Sequence, residues 1–557
     1  MSNFLRSLLF LIVVLPLAAQ AVEPRPSAAA IASAHPLATQ AGEETLAHGG
    51  NAFDAAVAVA AALAVVEPYH SGLGGGGFFL LHRARDGFEI MIDARERAPY
   101  AATRDMYLDR EGRPVPGRSI DGALAAGIPG VPAALVHLAE KYGRLKLAQD
   151  LAPAIRLARD GFPVTRAYAK MTLRQHDRLS NGFPEAARVF YHGGFIIPPG
   201  EKLRQPDLAR TLERLAQQGR RGFYDGETAA RLVDGVRAAG GIWSKKDLAE
   251  YRVVERAPVR GVYRGVRVTT APLPSSGGIV LMEALHLLQG FDLGAMDKTE
   301  RDATVIEAMR LAYRDRARYL GDPDFVHVDV ARLLDPAYAA QLRQEMGARL
   351  KSPAASPADA TGDGRNTTHF SIIDRDGNRV AATLSINTPF GCGVVPPGTG
   401  VVLNNEMDDF SVKPGVPNTY GLVGEDANAV APGKRPLSSM TPTFLESDDA
   451  VVALGTPGGS RIISMVLLAT LEFAQGRGGP KDWVALPRFH QQYLPDVVQY
   501  EPSAFDDAEK RALERRGYRL EAVRGGYGNM QAVAWYKKNG RVEAASDPRG
   551  EGLAQVR

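Results

Sequence analysis

The 557-residue sequence has a single cysteine, Cys392, so no disulfide can form within the chain and its stability must come from core packing. Cys392 lies between two glycines with no base beside it, which favours a buried small hydrophobe over a nucleophile. The eleven histidines are scattered, without an H-E-x-x-H motif or paired cysteines, so no metal or other cofactor is expected. A G-x-S-x-G elbow is also absent, which leaves an α/β-hydrolase without its nucleophile motif.

The chain also lacks a strong excess of one charge. Lys and Arg number 66 against 63 Asp and Glu, giving a formal net charge of +3, and the basic residues are spread along the chain. Nucleic acid is therefore not an expected partner.

Long apolar runs are few. Residues 1–21 have Arg6, an apolar segment at 8–17 and a small-x-small end at 19–21, the pattern of a secretory signal peptide. The Ala/Val-rich run at 52–66 is too short and small-sided to span a bilayer, and a helix buried against a sheet is favoured. The expected protein is exported, periplasmic or secreted, with no membrane span after signal removal.

A glycine-rich stretch follows that helix. Gly72-x-Gly74-x-x-Gly77 matches a dinucleotide fingerprint in form, but it follows a helix and opens a strand, the reverse of the required context. A nucleotide site is rejected. These glycines are expected to let backbones, or a ligand and a backbone, approach closely.

The chain changes character at Asn366-Thr367-Thr368. Residues 351–366 form a small, polar, Pro/Gly-containing linker, whereas residues 368–386 alternate like a β-hairpin with a turn at 374–378. A threonine at a strand start after such a linker can become an N-terminal nucleophile, since its hydroxyl attacks while its own α-amine acts as base. The rival interpretation is an N-x-[ST] glycosylation acceptor.

Other polar residues stand at the ends of predicted elements. Arg95 follows a buried strand and can bind a carboxylate, although an ion pair with Glu96 or Asp93 is an open alternative. Residues 406–409 put acids directly behind an apolar strand at 401–403, and residues 413–435 form a long Pro/Gly-rich segment, a candidate lid. A buried strand at 451–455 ends in glycines whose N–H groups can bind an anion. Such groups suit an α-amino-acid head group with an amide further along.

The intervening regions predict scaffold. Amphipathic helices are expected at 135–142, 148–160 and 208–218, a strand pair at 259–270, and helices at 279–288 and 301–319.

Several of these stretches together resemble the γ-glutamyltranspeptidase (glutathione hydrolase) family of N-terminal-nucleophile hydrolases. The resemblance covers essentially the whole mature chain, and its most specific part is Thr367-Thr368-His369. It is also carried by the glycine loop, Asp93-Ala94-Arg95-Glu96 and the stretches PLPSSGG (272–278), NNEMDDFSVKPG (404–415), KRPLSSM (434–440) and GTPGGSRII (455–463).

The resemblance implies an α+β fold, a four-layer αββα sandwich shared by two subunits. The precursor would cleave itself between Asn366 and Thr367 into a large subunit, 22–366, and a small subunit, 367–557, that remain together as a heterodimer. Thr367 would act first in processing and then in catalysis, assisted by Ser385, which stands where many members have a second threonine. The hydroxyl of Thr368 is a supporting group only.

The substrate site is also implied by the resemblance. Arg95, Ser438 and Ser439 would bind the substrate α-carboxylate; Asn387, Glu406 and Asp409 its α-amine; Gly458 and Gly459 the oxyanion; and Tyr420 would gate the pocket from the lid. Some members carry Gln at the position of Glu406.

The implied reaction is cleavage of glutathione and other γ-glutamyl compounds through a γ-glutamyl-threonine ester, with transfer to water or to amino-acid or dipeptide acceptors. A cephalosporin (glutaryl) acylase on the same scaffold is the nearest alternative, but its substrates lack the α-amine that Glu406 and Asp409 would bind. A non-catalytic relative that only binds γ-glutamyl peptides is the second, disfavoured by the retained hydroxyls of Thr367 and Ser385.

Overall fold

The computed structural model describes residues 25–351 and 366–557. The signal-peptide prediction at 1–21 and most of the linker at 351–366 lie outside the described residues.

The strands of the described chain are short, and most of them belong to two large sheets. They are β1 (Ala30–Ser33), β2 (Gly76–Arg83), β3 (Phe88–Asp93), β4 (Phe162–Pro163), β5 (Lys202–Leu203), β6 (Val254–Arg256), β7 (Val259–Tyr263), β8 (Val266–Thr270), β9 (Thr368–Ile373), β10 (Arg379–Ser385), β11 (Thr443–Glu446), β12 (Ala450–Gly455), β13 (Phe489–His490), β14 (Val498–Tyr500), β15 (Leu520–Ala522), β16 (Gln531–Tyr536), β17 (Val542–Ser546) and β18 (Leu553–Val556).

The helices are more numerous before β9 than after it. They are α1 (Pro36–Ala47), α2 (Ala52–Val66), α3 (Val131–Lys141), α4 (Leu147–Asp160), α5 (Arg166–Arg174), α6 (His176–Gly182), α7 (Pro184–Phe190), α8 (Pro206–Gln218), α9 (Arg221–Tyr224), α10 (Gly226–Ala238), α11 (Lys245–Ala249), α12 (Gly277–Leu288), α13 (Lys298–Tyr319), α14 (Val330–Leu333), α15 (Pro336–Lys351), α16 (Ile462–Ala474), α17 (Pro480–Ala485) and α18 (Asp507–Arg515), with 3-10 turns at Ala123–Ala125, Glu406–Asp409, Asp426–Asn428 and Gly459–Arg461.

Two sheets form the centre of the molecule. One has the order β18-β1-β9-β10-β2-β3-β6 and the other β17-β16-β12-β11-β8-β7. Successive side chains of a strand point to opposite faces, so each sheet supplies two apolar surfaces. In β2, Phe78 and Leu80 pack toward the second sheet, whereas Phe79 and Leu81 pack toward helices.

Helices cover the outer face of each sheet. Helices α1, α2 and α4 pack in the core beside the first sheet, and α12, α13 and α16 in the core beside the second. A small apolar cluster lies between the sheets. The layers are therefore helix, sheet, sheet, helix, and the expected αββα sandwich is confirmed.

Helix α2 shows how the sequence sets these layers. Asn51 caps it through a capping box with Asp54, and Glu67 is its C-terminal cap. All fifteen of its residues are buried, because small side chains let it pack closely on the sheet and the neighbouring helices. Among the described residues, no helix is both long and apolar enough to cross a membrane.

The predicted helices and strand pairs of the scaffold are observed within a few residues of their expected ends. The strand expected at 401–403 is not: Leu403 forms only an isolated bridge with Gly74. A side chain at Gly74 would overlap the carbonyl of Val402, so this glycine allows two backbones to approach where a continuous strand is not formed.

Candidate active site

The hydroxyl of Thr367 lies where β9 begins, at one end of an interior strand of the first sheet. Its Oγ is 3.0 Å from the Oγ of Ser385, the last residue of the neighbouring strand β10. The Ser385 Oγ also accepts a hydrogen bond from the backbone N–H of Asn387 at 2.7 Å. Because β9 and β10 are paired along their length, the sheet itself fixes the distance between the two hydroxyls.

The backbone at Thr367 is unfavourable for its residue type. Its φ is +91°, in a region that β-branched residues rarely adopt. Such a conformation costs on the order of 1–3 kcal/mol and persists only where surrounding contacts impose it. The strain lies directly at the bond between Asn366 and Thr367.

Neighbouring polar groups hold this strand end in place. The Thr368 hydroxyl donates to a carboxylate oxygen of Glu67 at 3.0 Å. His369 is fully buried between the sheets, and desolvation lowers its pKa to about 3, so its ring stays neutral. Its two ring nitrogens lie 2.8 Å from Thr383 Oγ and 3.1 Å from Ser371 Oγ. His369 is therefore a structural residue and not the base for Thr367.

A buried charge cluster lines the same cavity as the Thr367 hydroxyl. The guanidinium of Arg95 donates to Glu406 Oε1 at 2.5 Å and to Asp409 Oδ2, and it lies 3.5 Å from the carboxylate of Glu96. Burial, followed by the nearby Glu96 and Asp409 carboxyls, raises the pKa of Glu406 well above its ordinary value, despite the charge of Arg95. Burial likewise raises the pKa of Glu96 to about 8.

The arrangement of these charges favours an additional cation. Three carboxyl groups surround one guanidinium, and Glu406 Oε2 is a buried acceptor without a hydrogen-bond partner among the described residues. An ammonium group brought to this oxygen would satisfy it and would stabilise the ionised form of Glu406. Arg95 therefore pairs with Glu406 and Asp409, the residues expected to bind the substrate amine, in addition to its contact with Glu96.

The paired serines lie on the other wall. Ser438 Oγ accepts a hydrogen bond from the Met440 N–H at 3.1 Å, and Ser439 Oγ lies 3.4 Å from an Nη of Arg316. The Ser276 hydroxyl donates to the Ser438 carbonyl at 2.7 Å, which fixes this turn.

The candidate lid covers the cavity. Tyr420 donates its hydroxyl hydrogen bond to the carbonyl of Asn387 at 2.8 Å and lies 3.4 Å from Nδ2 of Asn366. Its ring packs on Gly459, where an added Cβ would come within 2.5 Å of a ring carbon. Gly459 also has φ +59°, a conformation that favours glycine. Both the close approach of the Tyr420 ring and this backbone angle therefore require glycine at position 459.

The predicted site residues share one small cavity of about 20 Å³. Its lining includes Arg95, Thr367, Ser385, Asn387, Glu406, Asp409, Tyr420, Ser438, Ser439 and Gly459; Gly458 is adjacent to Gly459 but does not line it. The volume holds about one water molecule. A glutamyl group is therefore too large for the cavity in this conformation.

Some lining residues were missed by the sequence interpretation. Leu422, Met440, Ser460 and Ile462 also line the cavity. Ser460 and Met440 adjoin recognised motifs, but apolar lining residues carry no local signal that separates them from core residues. Asp408, whose pKa burial raises to about 6, anchors the lid by accepting from the Thr419 N–H at 2.9 Å. Within the described residues no three His, Cys, Asp or Glu side chains are grouped as a metal site.

Comparisons with known proteins agree over nearly the whole chain. Residues 38–556 match the family model described as gamma-glutamyltranspeptidase. A glutathione hydrolase proenzyme of Pseudomonas sp. (strain A14) is 43% identical over 495 residues, covering 88% of this chain and 86% of the relative. That of Escherichia coli (strain K12) is 42% identical over 525 residues, covering 93% and 90%. The solved structure of a cephalosporin acylase from Bacillus halodurans has a TM-score of 0.85 at 30% identity, covering 98% of this chain and 99% of that one.

Proposed function

This chain belongs to the gamma-glutamyltranspeptidase family, and from this we propose that it is a self-processing glutathione hydrolase and γ-glutamyltransferase. Its substrates are glutathione and other γ-glutamyl amides, and the glutamyl group passes to water or to an amino-acid or dipeptide acceptor.

The first step is cleavage of its own chain. The Thr367 Oγ attacks the carbonyl carbon of Asn366, the C–N bond breaks, and the nitrogen becomes the free α-amine of Thr367. Water then hydrolyses the resulting ester, leaving fragments 22–366 and 367–557. The strained φ of Thr367 supports this proposal, because the constraint on that angle is released when the bond breaks.

The mature reaction uses the same hydroxyl. The Thr367 α-amine takes the proton from Oγ as the oxygen attacks the γ-carbonyl carbon of the substrate. Collapse of the tetrahedral intermediate breaks the C–N bond, and the proton passes to the leaving amine. Water or an acceptor amine attacks the ester by the reverse route and restores the Thr367 hydroxyl.

The oxyanion of each tetrahedral intermediate needs fixed donors. The backbone N–H groups of Gly458 and Gly459 are proposed for this role, and one such donor typically lowers the barrier by about 3 kcal/mol. Ser385 holds the Thr367 hydroxyl in orientation through their 3.0 Å contact.

Substrate binding is proposed to exchange one set of ion pairs for another. The α-ammonium of the glutamyl group contacts Glu406, Asp409 and the Asn387 amide, while Arg95 turns to the α-carboxylate with Ser438 and Ser439. Both charges of the zwitterion gain a partner and no buried charge loses one. This exchange supports a γ-glutamyl rather than a glutaryl substrate.

One observation carries the proposal: the Thr367–Ser385 hydroxyl pair and the Arg95–Glu406–Asp409 cluster line the same cavity. Mass spectrometry of the purified chain tests it. We expect two fragments, the smaller beginning at Thr367, and hydrolysis of a γ-glutamyl anilide. Thr367→Ala should remain uncut and inactive, whereas Thr367→Ser should still be cut, more slowly. Cleavage of Thr367→Ala after Asn366 would refute self-processing by Thr367.

Glutaryl acylase activity is the second candidate, favoured by the cephalosporin acylase structure with its TM-score of 0.85. A glutaryl group has no ammonium, so it would leave the acids Glu406 and Asp409 without a new partner. Paired assays with γ-glutamyl and glutaryl anilides discriminate the two, and a preference for the glutaryl compound would overturn our choice. A single uncut band that persists on storage would instead favour a binding-only protein.

Export is also part of the proposal. The charged start, apolar segment and small-x-small end of residues 1–21 support removal of a signal peptide and a periplasmic or secreted enzyme. Sequencing the N-terminus of the large fragment from an exporting host tests it, with an end at or near residue 22 expected.

A further inference from the structure

The lid residue Tyr420 is held at two points, its side-chain hydroxyl and its main-chain carbonyl. Its hydroxyl donates to the Asn387 carbonyl, as described above. Its own carbonyl oxygen accepts a hydrogen bond from Nε2 of Gln492 at 3.2 Å. Gln492 is buried and lies outside the lid segment, in the loop that follows strand β13.

The orientation of the Gln492 amide is determined by its neighbours. Its Nε2 also lies 3.3 Å from the carbonyl of Leu494, so two carbonyl oxygens face this atom and only a donor fits there. Its Oε1 lies 2.9 Å from Nε2 of His490 and must accept a hydrogen bond from it.

These contacts set the tautomer of His490. Burial lowers its pKa to about 3, so the ring is neutral and carries one proton, on Nε2. Its Nδ1 is then an acceptor, 2.8 Å from Ser464 Oγ, and the one hydrogen of that hydroxyl is shared between Nδ1 and the Arg461 carbonyl at 2.9 Å. The contacts with Tyr420, Leu494 and His490 together define the orientation of the Gln492 amide, with its N–H directed to the lid.

These hydrogen-bonded side chains end at helix α16, which follows the proposed oxyanion turn. Ser464 belongs to α16, which follows the turn Gly459–Arg461 directly. The Tyr313 ring packs edge-on against His490 at 5.4 Å, and its hydroxyl donates to the Ser460 carbonyl of that same turn. The lid, the loop at 490–494 and the oxyanion turn are therefore joined by one buried polar network.

We propose that Gln492 is a positioning residue that latches the lid, through Tyr420, to the wall bearing the oxyanion turn. The latch consists of Gln492, His490 and Ser464. This inference rests on the proposed function for its kinetic consequence, but the latch itself is a property of the fold. It holds Tyr420 over Gly459, so it sets the closed position of the lid over a bound glutamyl group.

The latch predicts a specific kinetic effect. Its loss favours the open lid, so substrate dissociates more readily while the reacting groups on Thr367, Ser385 and the oxyanion turn are untouched. One buried hydrogen bond corresponds to about a five- to tenfold change in the equilibrium between closed and open lid. KM for a γ-glutamyl anilide should rise by that factor, with kcat changed less than about twofold.

The decisive variant is Gln492→Met, which keeps side-chain volume and removes the donor. The matched control is Gln205→Met, because Gln205 is also buried and donates through Nε2 to a backbone carbonyl, that of Val65 at 2.8 Å, far from the lid. Gln492→Met loses the amide contacts with Tyr420, Leu494 and His490, whereas Gln205→Met loses the contact with Val65. Only the first variant should change KM, because only it loses a contact with the lid.

Lid opening is also measured without catalysis. Tyr420 belongs to the lid and its ring packs on Gly459 in the closed position, so chymotrypsin cleaves after it only when the lid opens. Gln492→Met should be cut after Tyr420 about fivefold faster than the wild type, and Gln205→Met at the wild-type rate. Gln492→Glu keeps an acceptor for His490 but removes the N–H donor to Tyr420, so it should show the same increase. It replaces Gln492→Met in the test if the methionine variant folds poorly.

Two results would overturn the latch. One is an unchanged chymotrypsin rate and KM in both Gln492 variants; the other is an equal change in Gln205→Met. An inactive wild type would refute the proposed function instead, and the proteolysis comparison would still decide the role of Gln492.

Discussion

The hydroxyls of Thr367 and Ser385 lie 3.0 Å apart and link the proposed nucleophile to the neighbouring strand β10. Ser385→Ala removes this link and leaves the Asn387 N–H without its acceptor. We expect both self-cleavage and γ-glutamyl anilide hydrolysis to slow by about ten- to a hundredfold, as for loss of one orienting group in an active site.

Ser385→Thr is the control, because it keeps the hydroxyl at the same atom. It should retain activity within about threefold of the wild type, since an extra methyl group costs little where it can be accommodated. The measurements are the cleavage rate on a gel and steady-state kcat. Equal activity of Ser385→Ala and the wild type would show that Thr367 needs no hydroxyl partner.

Glu406 should make substrate binding pH dependent. Its pKa is raised well above the ordinary value in the empty site, so below that pKa it carries a proton that must leave when the substrate ammonium binds. Binding therefore releases a proton, and KM should fall as pH rises from about 6 to 8 by up to tenfold per unit.

Glu406→Gln cannot release that proton. Its KM should be nearly flat over the same pH range, while its kcat profile, which reports the Thr367 base, keeps its shape. The KM profiles of the two proteins are the test. A wild-type KM that rises with pH in this range would contradict the assigned protonation of Glu406.

Single residues of this site were only partly predictable from sequence. Thr367 was predicted as a nucleophile because a threonine between a polar linker and an alternating segment is a local pattern, and its hydroxyl lines the cavity shared by the other predicted residues. The partner of Arg95 could not be, because its contacts with Glu406 and Asp409 join positions more than 300 residues apart. Gln492 left no signal either, since its role comes from the carbonyl of a distant lid residue.

The lid is in direct contact with the turn that contains Gly458 and Gly459, the proposed oxyanion donors, because the Tyr420 ring packs on Gly459. Gly459→Ala places a methyl group within 2.5 Å of that ring at a φ of +59°. We expect the lid to be displaced and kcat/KM to fall at least about a hundredfold, because the lid and an oxyanion donor are both disturbed.

The strain of a side chain at positive φ needs its own control. Gly476 has φ +66°, and an added Cβ there meets no atom within 4 Å. Gly476→Ala should therefore show the backbone cost alone, about 1 kcal/mol in the free energy of unfolding, with kcat/KM unchanged. Equal loss of activity in both variants would refute the contact between lid and turn as its cause.

Elements with strong local patterns were predicted well. Helix α2 has a capping residue, a continuous small apolar run and a proline soon after its end, and it is found within these bounds. The apolar segment 401–403 has the composition of a strand but lies against the glycine loop, where one bridge replaces a ladder. Whether residues 401–403 form a strand depends on which backbone lies beside them, so the sequence periodicity alone could not predict their secondary structure.

The whole molecule explains how a cut chain stays together. Strand β1 of the proposed large subunit lies between β18 and β9 of the small one, and β10 pairs with β2 as β11 pairs with β8. Each sheet thus contains strands from both fragments, and all five apolar clusters of the described residues contain side chains from both. The order of the strands was not predictable from sequence, because it joins segments hundreds of residues apart.

This interleaving predicts that the two fragments stay associated after cleavage and that the free energy of unfolding changes little. The cut protein should elute as one particle and unfold in urea in a single transition, with both fragments released together. The test is size-exclusion chromatography across a urea series, with uncut Thr367→Ala as the control. Release of one fragment while the other keeps its helical circular dichroism would contradict a shared core.

The concentration dependence of refolding should distinguish the cut protein from the uncut Thr367→Ala chain. In uncut Thr367→Ala the two halves are joined, so strand pairing across 366 and 367 is intramolecular and its yield independent of protein concentration below the aggregation range. In the cut protein the same pairings are bimolecular, and neither half has a complete sheet alone, so recovery after dilution should rise with concentration. Equal, concentration-independent recovery of both forms, measured by circular dichroism over a tenfold concentration range, would show that each fragment folds by itself. Because the strands interleave in this way, we expect the native arrangement to form efficiently only while the chain is continuous, and self-cleavage must then follow folding.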